Sequence, residues 1–440
     1  MTLSLYPAAS FCPSPKFSKF PLPSSCFRVV CHGGSHAPYA ASELKLALHD
    51  ALDSTGIDTT YAREAREGFC SQINKLSNIE RGTSISINRC VDLGKTALHI
   101  AAEDDSLISH SSVPLPVDAF IDRLDDLSVG YCPHYNSSLK SSRENFLDSI
   151  ERYLFDKKVG NAEKEGVHFC IFMTLRSLYS VSGQQGFRRT SAGNQIDPRA
   201  LYLHSVLTHR SGSAVMLSLV YSEILKMLRL WGLIDFDVEI AFPLDHGLPR
   251  GYQKQKSRES DQSHIMTVQI LLEEILRNLK SAFWPFQHDF SRSLFLRAAH
   301  AANCIEQLDS EDSGLQLASA KAAKHRLERG VWTSVRFGDM RRALAACERL
   351  ILMETDVKEL RDYSILLYHC GLYEQSLQYL KLYQEAKSSS LEKPSSDPTS
   401  SLEDDAVEKL MIRLNLISME EGWSKPSYIK NFLGNNSEPW

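Results

Sequence analysis

Phe236, Val238, Ile240 and Phe242 alternate with Asp237, Glu239 and Ala241, a period of two that predicts a half-buried strand ended by Pro243. The other apolar stretches read at helical spacing. Ser42 precedes a stripe of Leu44, Leu48, Ala51 and Leu52. Val117, Phe120, Ile121, Leu124 and Leu127 make a second stripe. A third follows a candidate Ser141/Glu144 capping box, with Phe146, Ile150, Tyr153 and Leu154. Residues 167–181 and 213–230 are apolar on more than one face and predict buried helices, the second the more central. So little strand among so much helix limits the sheet to a few strands. His264–Ile270 is the candidate partner of 236–242. The expected class is mainly α with a small antiparallel β-sheet, an α+β fold.

At 440 residues and 43% hydrophobic, the chain is rich enough in apolar residues to bury a sizeable core. Lys and Arg number 49 against 54 Asp and Glu, a net charge of −5, which argues against a generic nucleic-acid binder. The uncharged apolar run Ala214–Ser222 falls far short of the ~20 residues that cross a bilayer, so no transmembrane segment is expected.

Residues 1–31 contain no Asp or Glu, six Ser and five Pro, with Lys16, Lys19 and Arg28 as their charges. Pro7, Pro13 and Pro15 interrupt any secretory apolar run, and one Arg fits a mitochondrial presequence poorly. A Ser-rich, acid-free leader predicts a chloroplast transit peptide and a stromal location. Val29-Val30-Cys31 is the candidate processing site.

Beyond the leader lie Cys70, Cys90, Cys132, Cys170, Cys304, Cys347 and Cys370. An odd number with no CxxC predicts buried thiols rather than a disulfide framework. Cys132, His134, His168 and Cys170 have ligand chemistry for zinc, but their spacing matches no common structural site, so neither metal nor cofactor is expected.

Gly94–Ala102 looks like an ankyrin signature, but nothing similar recurs 33 residues to either side, and 96–104 reads as ordinary helix. A different repeat appears later. Gly338-Asp339 with Ala343-Leu344 recurs at an offset of 33 as Gly371-Leu372 with Ser376-Leu377. Each set places a small residue, then a large apolar one, where two helices would cross. This resembles tetratricopeptide helix pairs, whose period is ~34. The polar stretch 245–263 reads as an exposed insertion, and Ser388–Ser401 as a Ser/Pro-rich linker.

Asp197, Pro198, Leu203, Val206, Leu207, Arg210, Gly212 and Leu217 form a spaced set that resembles the SirB-type transglutaminase-like family, whose pattern is D-P-x-N-S-x-L-x-x-V-L-x-x-R-x-G-x-P-I-x-L. Val215 stands for the Ile; Ala200, Leu201 and Ala214 replace Asn, Ser and Pro. Gly186-Phe187 fits upstream, and Arg342-Ala343-Leu344, Arg361-Asp362 and Gly371 resemble the family's carboxyl-terminal helical repeat, so the likeness runs from about 96 to 385. The wider transglutaminase-like fold that the resemblance implies has a Cys at the start of a buried helix as nucleophile, a His that takes its proton and an Asp or Asn that orients the His, although SirB-type members usually lack that Cys. Here the aligned position is Ala214, and no Cys lies between Cys170 and Cys304. His264 is the best counterpart of the His, with His246 the alternative, and Ser213 is the nearest hydroxyl. The eight motif residues are expected to be structural, with Arg210 pairing with Asp197 and Gly212 allowing close helix approach or a left-handed turn.

The expected organisation is a transit peptide at 1–31, an amino-terminal helical extension at 32–90, and the transglutaminase-like domain at 91–310. Tetratricopeptide-like pairs follow at 311–385, a linker at 386–401, and a final helix and tail at 402–440. The expected function is that of an inactive transglutaminase-like plastid protein that binds or assembles protein partners. The alternative is a thiol or serine hydrolase, or an acyl-transfer enzyme, with rearranged residues.

Overall fold

The computed structural model describes residues 44, 46–54, 56–76, 91–109, 113–135, 143–155, 170–172, 186–190, 197–234, 239–241, 267–286, 293–302, 304, 339–389 and 398–419. The first half carries helices α1 (Leu48–Ser54), α2 (Thr60–Ile73), α3 (Leu93–Ser109), α4 (Val117–Tyr135) and α5 (Arg143–Phe155). Then come β1 (Cys170–Phe172), β2 (Arg188–Arg189), a 3-10 turn at Pro198–Ala200, α6 (Leu203–His209), β3 (Ser211–Gly212), α7 (Ala214–Leu230) and β4 (Glu239–Ala241). The second half is helical among the described residues: α8 (Val268–Phe283), α9 (Leu294–Ala301), α10 (Met340–Leu352), α11 (Lys358–His369), α12 (Tyr373–Ser389) and α13 (Pro398–Met419).

The fold is therefore mainly α, but the expected antiparallel sheet is corrected. β1 pairs with β4 in parallel, with Ile171 opposite Ile240, and β2 pairs with β3 in parallel, with Arg188 opposite Ser211. The strand expected at 236–242 is present over Glu239–Ala241. Its partner among the described residues is 170–172, inside the stretch read as a buried helix; residues 264–266 of the expected partner lie outside the described residues. Parallel pairing demands a long crossover, and here α6 and α7 lie between the two strands. Residues 268–270 instead open α8, where the Thr267 hydroxyl accepts the Ile270 N–H at 3.2 Å, an N-cap.

α7 is the central helix. From Ala214 to Leu225 every residue is buried, on all faces, which fits its uninterrupted apolar run. α4, α3 and α8 pack around it, and α8 in turn packs against α10. The ankyrin-like segment is part of the ordinary helix α3, which packs on α2.

The tail is a succession of packed neighbours, α10 on α11, α11 on α12 and α12 on α13. Ala343 and Ser376, the small residues of the 33-residue offset, are both fully buried. Ser376 exchanges hydrogen bonds with Ser364 of α11: each hydroxyl donates to the other's carbonyl at 2.8 Å. A larger side chain at 376 would push α11 and α12 apart. Helical residues reach into both ends of the 386–401 segment read as a linker, since α12 runs to Ser389 and α13 begins at Pro398.

Charge, unusually, holds the two halves together. Glu103 and Asp104 on α3 are buried among apolar neighbours. Arg66 of α2 donates to Glu103 at 2.5–3.0 Å and to Glu348 of α10 at 2.9 Å. Arg349, fully buried on α10, donates to Glu103 at 3.0 Å and to Asp104 at 2.5 Å. The backbone N–H of Leu48, at the start of α1, donates to Glu348 at 3.0 Å, and His49 lies 3.1 Å from Glu103. Burial alone would raise the Glu103 carboxyl; Arg349 and Arg66 outweigh it and hold that group well below the usual carboxylate range. A second cluster joins Lys280 of α8 to Glu359 and Asp362 of α11 at 2.6 and 3.0 Å. Arg361 links it onward to Glu403 of α13 at 2.8 Å.

Candidate functional site

The start of α7 is built almost wholly by the motif residues. Asp197 begins the construction: its carboxylate accepts the Arg199 N–H at 3.0 Å and opens the Pro198–Ala200 turn. Leu203, Val206, Leu207 and Leu217 are buried beneath it. Arg210 ends α6 in the left-handed region, φ 53°, and this reversal sends the chain into β3. The left-handed residue is thus Arg210 and not Gly212. Gly212 serves the other expected role: a Cβ there would lie 3.0 Å from both Val206 methyls, tighter than an ordinary contact, so a side chain would fit only if Val206 shifted.

β2 then ties the approach down. Arg188 N–H donates to the Arg210 carbonyl at 2.8 Å, and Thr190 N–H to the Gly212 carbonyl at 2.9 Å. Ser213 N–H donates to the Ala200 carbonyl at 2.9 Å. The Ser213 hydroxyl, extended at φ −65° and ψ 158°, accepts the Met216 N–H at 3.3 Å. Ser213 is therefore the N-cap of α7, and its oxygen is committed to the helix. Ala214 comes next, 8% exposed, and presents a methyl group at the position that the resemblance aligns with the nucleophile of the wider transglutaminase-like fold. His264 and His246 lie outside the described residues. His209, the ring nearest in sequence among the described residues, sits 2.9 Å from the Ser205 carbonyl one turn back in its own helix.

Arg210 and Asp197, expected as a pair, take up different work. The Arg210 guanidinium lies 5.9 Å over the Phe187 ring. It lines a cleft of about 210 Å³ with Arg123, Asp126, Leu127 and Leu207. Arg123 from α4 donates to the Leu207 carbonyl at 3.3 Å, bracing α6 from outside.

In the middle of α7, burial pushes the Glu223 carboxyl up to about 7 against the opposing pull of Lys226, whose ammonium lies 3.1 Å away. Cys304, Cys347 and Cys370 are buried free thiols and Cys70 is half-buried, which is the expected state of those four. Burial raises all four, Cys370 to about 12, so none is poised as a thiolate. The side chains of Cys132, His134, His168 and Cys170 lie outside the described set. Among the described residues no group of His, Cys, Asp and Glu is arranged to hold a metal, and no helix is long and apolar enough to cross a membrane.

The sequence reading missed the charged joint of Glu103, Asp104, Arg66, Glu348 and Arg349. The signal for it was the acids Glu103 and Asp104 set directly after the largely apolar stretch Ala97–Ala102, on a helix that the structure buries.

Comparison with known families agrees with the motif over part of the chain. Residues 137–231 match the transglutaminase-like superfamily, from just before α5 to the end of α7. These residues are a transglutaminase-like domain; the matched span is shorter than the 96–385 suggested by the motif and its flanks. No curated protein and no solved structure matches the chain.

Proposed function

We propose that this chain is a transglutaminase-like protein without transferase or hydrolase chemistry, which serves as a binding or assembly factor for other proteins in the chloroplast stroma. The observation that supports this most is Ala214 at the start of α7, flanked by a Ser213 hydroxyl that caps the helix and has no base beside it among the described residues. A nucleophile needs a polarised hydroxyl or thiolate beside a base. The methyl of Ala214 has neither proton nor lone pair to give. The helical tail supports the binding half of the reading: successive helices with small residues at their crossings, as in SirB-type members with tetratricopeptide-like pairs, present grooves to peptides. The acid-free, Ser-rich leader supports the address.

The test is affinity capture from stroma with residues 32–440, using the Ala343→Leu variant as control. The reading expects a discrete protein set, retained by the wild type and lost when the α10 crossing is overpacked. Equal recovery on both baits, or none on either, contradicts it. A fluorescent fusion to residues 1–45 should accumulate in chloroplasts, and cytosolic fluorescence refutes the address.

A further inference from the structure

A second cleft, of about 190 Å³, lies between α3, the Pro198–Ala200 turn, the start of α6 and the first turn of α10. Its charges are sorted by wall. Asp104 and Asp105 stand on one face of α3, one turn from Ala101 and Ile108. The cations, Arg199 and Arg342, come from the turn and from α10. Asp104 is already committed, one oxygen to Arg349 and the other to the Tyr202 hydroxyl at 2.7 Å. Asp105, half-buried, has a long contact of 3.5 Å from Ser109 and acts electrostatically on the His204 ring across the cleft lining. Arg199 is exposed at the opposite rim.

Two residues that line this cleft carry buried polar atoms without a hydrogen-bond partner. Nδ1 of His204 is buried without a hydrogen-bond partner, and so is Nε of Arg342. Arg342 Nε comes within 3.2 Å of Asp339 Oδ2, yet the two are misaligned and neither atom is satisfied. The Arg342 guanidinium is held in place by the Phe283 ring, 4.4 Å below it. Burial lowers the His204 imidazole, so the ring is neutral at pH 7 and offers one donor and one acceptor. Native structures leave few buried polar atoms unpaired, and these two, His204 Nδ1 and Arg342 Nε, lie in the wall behind the cleft. The cleft is smaller than the roughly 300–1,000 Å³ of pockets for drug-sized ligands, yet it holds more than a single water of about 30 Å³.

We infer that this cleft binds a small zwitterion of the aliphatic amino-acid type, its carboxylate toward Arg199 and Arg342, its ammonium toward Asp105, and its side chain against Ala101, Ile108 and Pro198. A plain anion would meet Asp105, and a plain cation would meet two arginines; a zwitterion answers both walls. A guanidinium pair matches a carboxylate in geometry as well as charge. The cleft shares the Pro198–Ala200 turn and α6 with the start of α7, but neither Ser213 nor Ala214 lines it, and the inference does not depend on whether that helix start has chemistry.

The test uses the full chain and three probes: L-leucine, N-acetyl-L-leucine, which lacks the ammonium, and L-leucinamide, which lacks the carboxylate. A ligand that binds only the native state raises Tm with its concentration. Leucine is expected to do so, and each blocked form to bind at least about tenfold more weakly, or about 1.4 kcal/mol. Arg199→Gln and Asp105→Asn alter rim side chains, so their ligand-free Tm should match that of the wild type. Arg199→Gln should bind leucine no better than leucinamide, and Asp105→Asn should bind leucine no better than N-acetyl-leucine. No stabilisation by leucine overturns the inference. So does equal binding of leucine and either blocked form, which would define a plain anion or cation site. Unchanged leucine affinity in both variants places binding elsewhere and overturns it too.

Discussion

The start of α7 and the joint between α3 and α10 are built on opposite principles. At the first, the resemblance leads one to expect ionisable chemistry, and the residues there are Gly212, Ser213 and Ala214, held by backbone hydrogen bonds and one capping hydroxyl. At the second, nothing in the sequence promises a site, and two arginines meet three carboxylates away from water. Buried charge in this protein fastens helices distant in the chain, Arg66 to Glu348 and Glu103 to Arg349. A buried ion cluster adds little net stability over a well-packed apolar one, but removing one member strands the rest. The joint therefore specifies which helices meet, while the motif fixes a backbone path.

The largest effect should come from breaking the charged joint. Glu103→Ala leaves Arg66 and Arg349 with one acid each and should cost about 3–5 kcal/mol, read from urea unfolding followed by circular dichroism. A loss below about 1 kcal/mol would mean the cluster is hydrated like a surface pair.

Next comes Glu223, midway along α7. Its carboxyl is raised from 4.5 to about 7 in the folded protein, so folding favours the protonated form. The sign follows: this contribution to stability is full below about 4.5 and is lost as pH rises through about 7. Glu223→Gln should remove a slope of up to about 1.4 kcal/mol per pH unit across that window. An unchanged slope places the titration elsewhere.

Gly212→Ala should cost about 1–3 kcal/mol by pressing a methyl on Val206, and Val206→Ala in the same chain should return part of that loss. Additive losses would deny the contact. The smallest effect is Ser213→Ala, about 0.5–2 kcal/mol for a lost cap, with no change in any activity.

What the sequence could tell follows the range of the forces involved. α7 was legible to within a residue, because an apolar run on every face is a local signal; Ser213 was read as the first helical residue and a remnant hydroxyl, and its role as the cap was not. The 33-residue offset marked two positions, Ala343 and Ser376, that are both buried. The parallel pairing of β1 with β4 was not legible. A three-residue strand has no periodicity to distinguish it from helix, and its partner lies 69 residues further on, Ile171 opposite Ile240. The charged joint was hidden for the same reason: Arg66 and Glu348 are 282 positions apart. Of the site, the residues that shape α7's start were readable as a set, whereas the second cleft was not, since it exists only where α3 and α10 meet the turn at 198–200.

The central claim is that the start of α7 keeps the transglutaminase-like backbone without its nucleophile. Covalent labelling of the native full chain with serine- and thiol-directed acyl probes tests it most directly, with mass spectrometry locating the adduct. Ala214→Cys serves as the positive control, because a thiol at that helix start has its pKa lowered by the helix dipole. The account predicts labelling of the wild type no greater than that of the denatured chain, and labelling of the variant at position 214. Stoichiometric modification of a single wild-type residue, Ser213 above all, would contradict it.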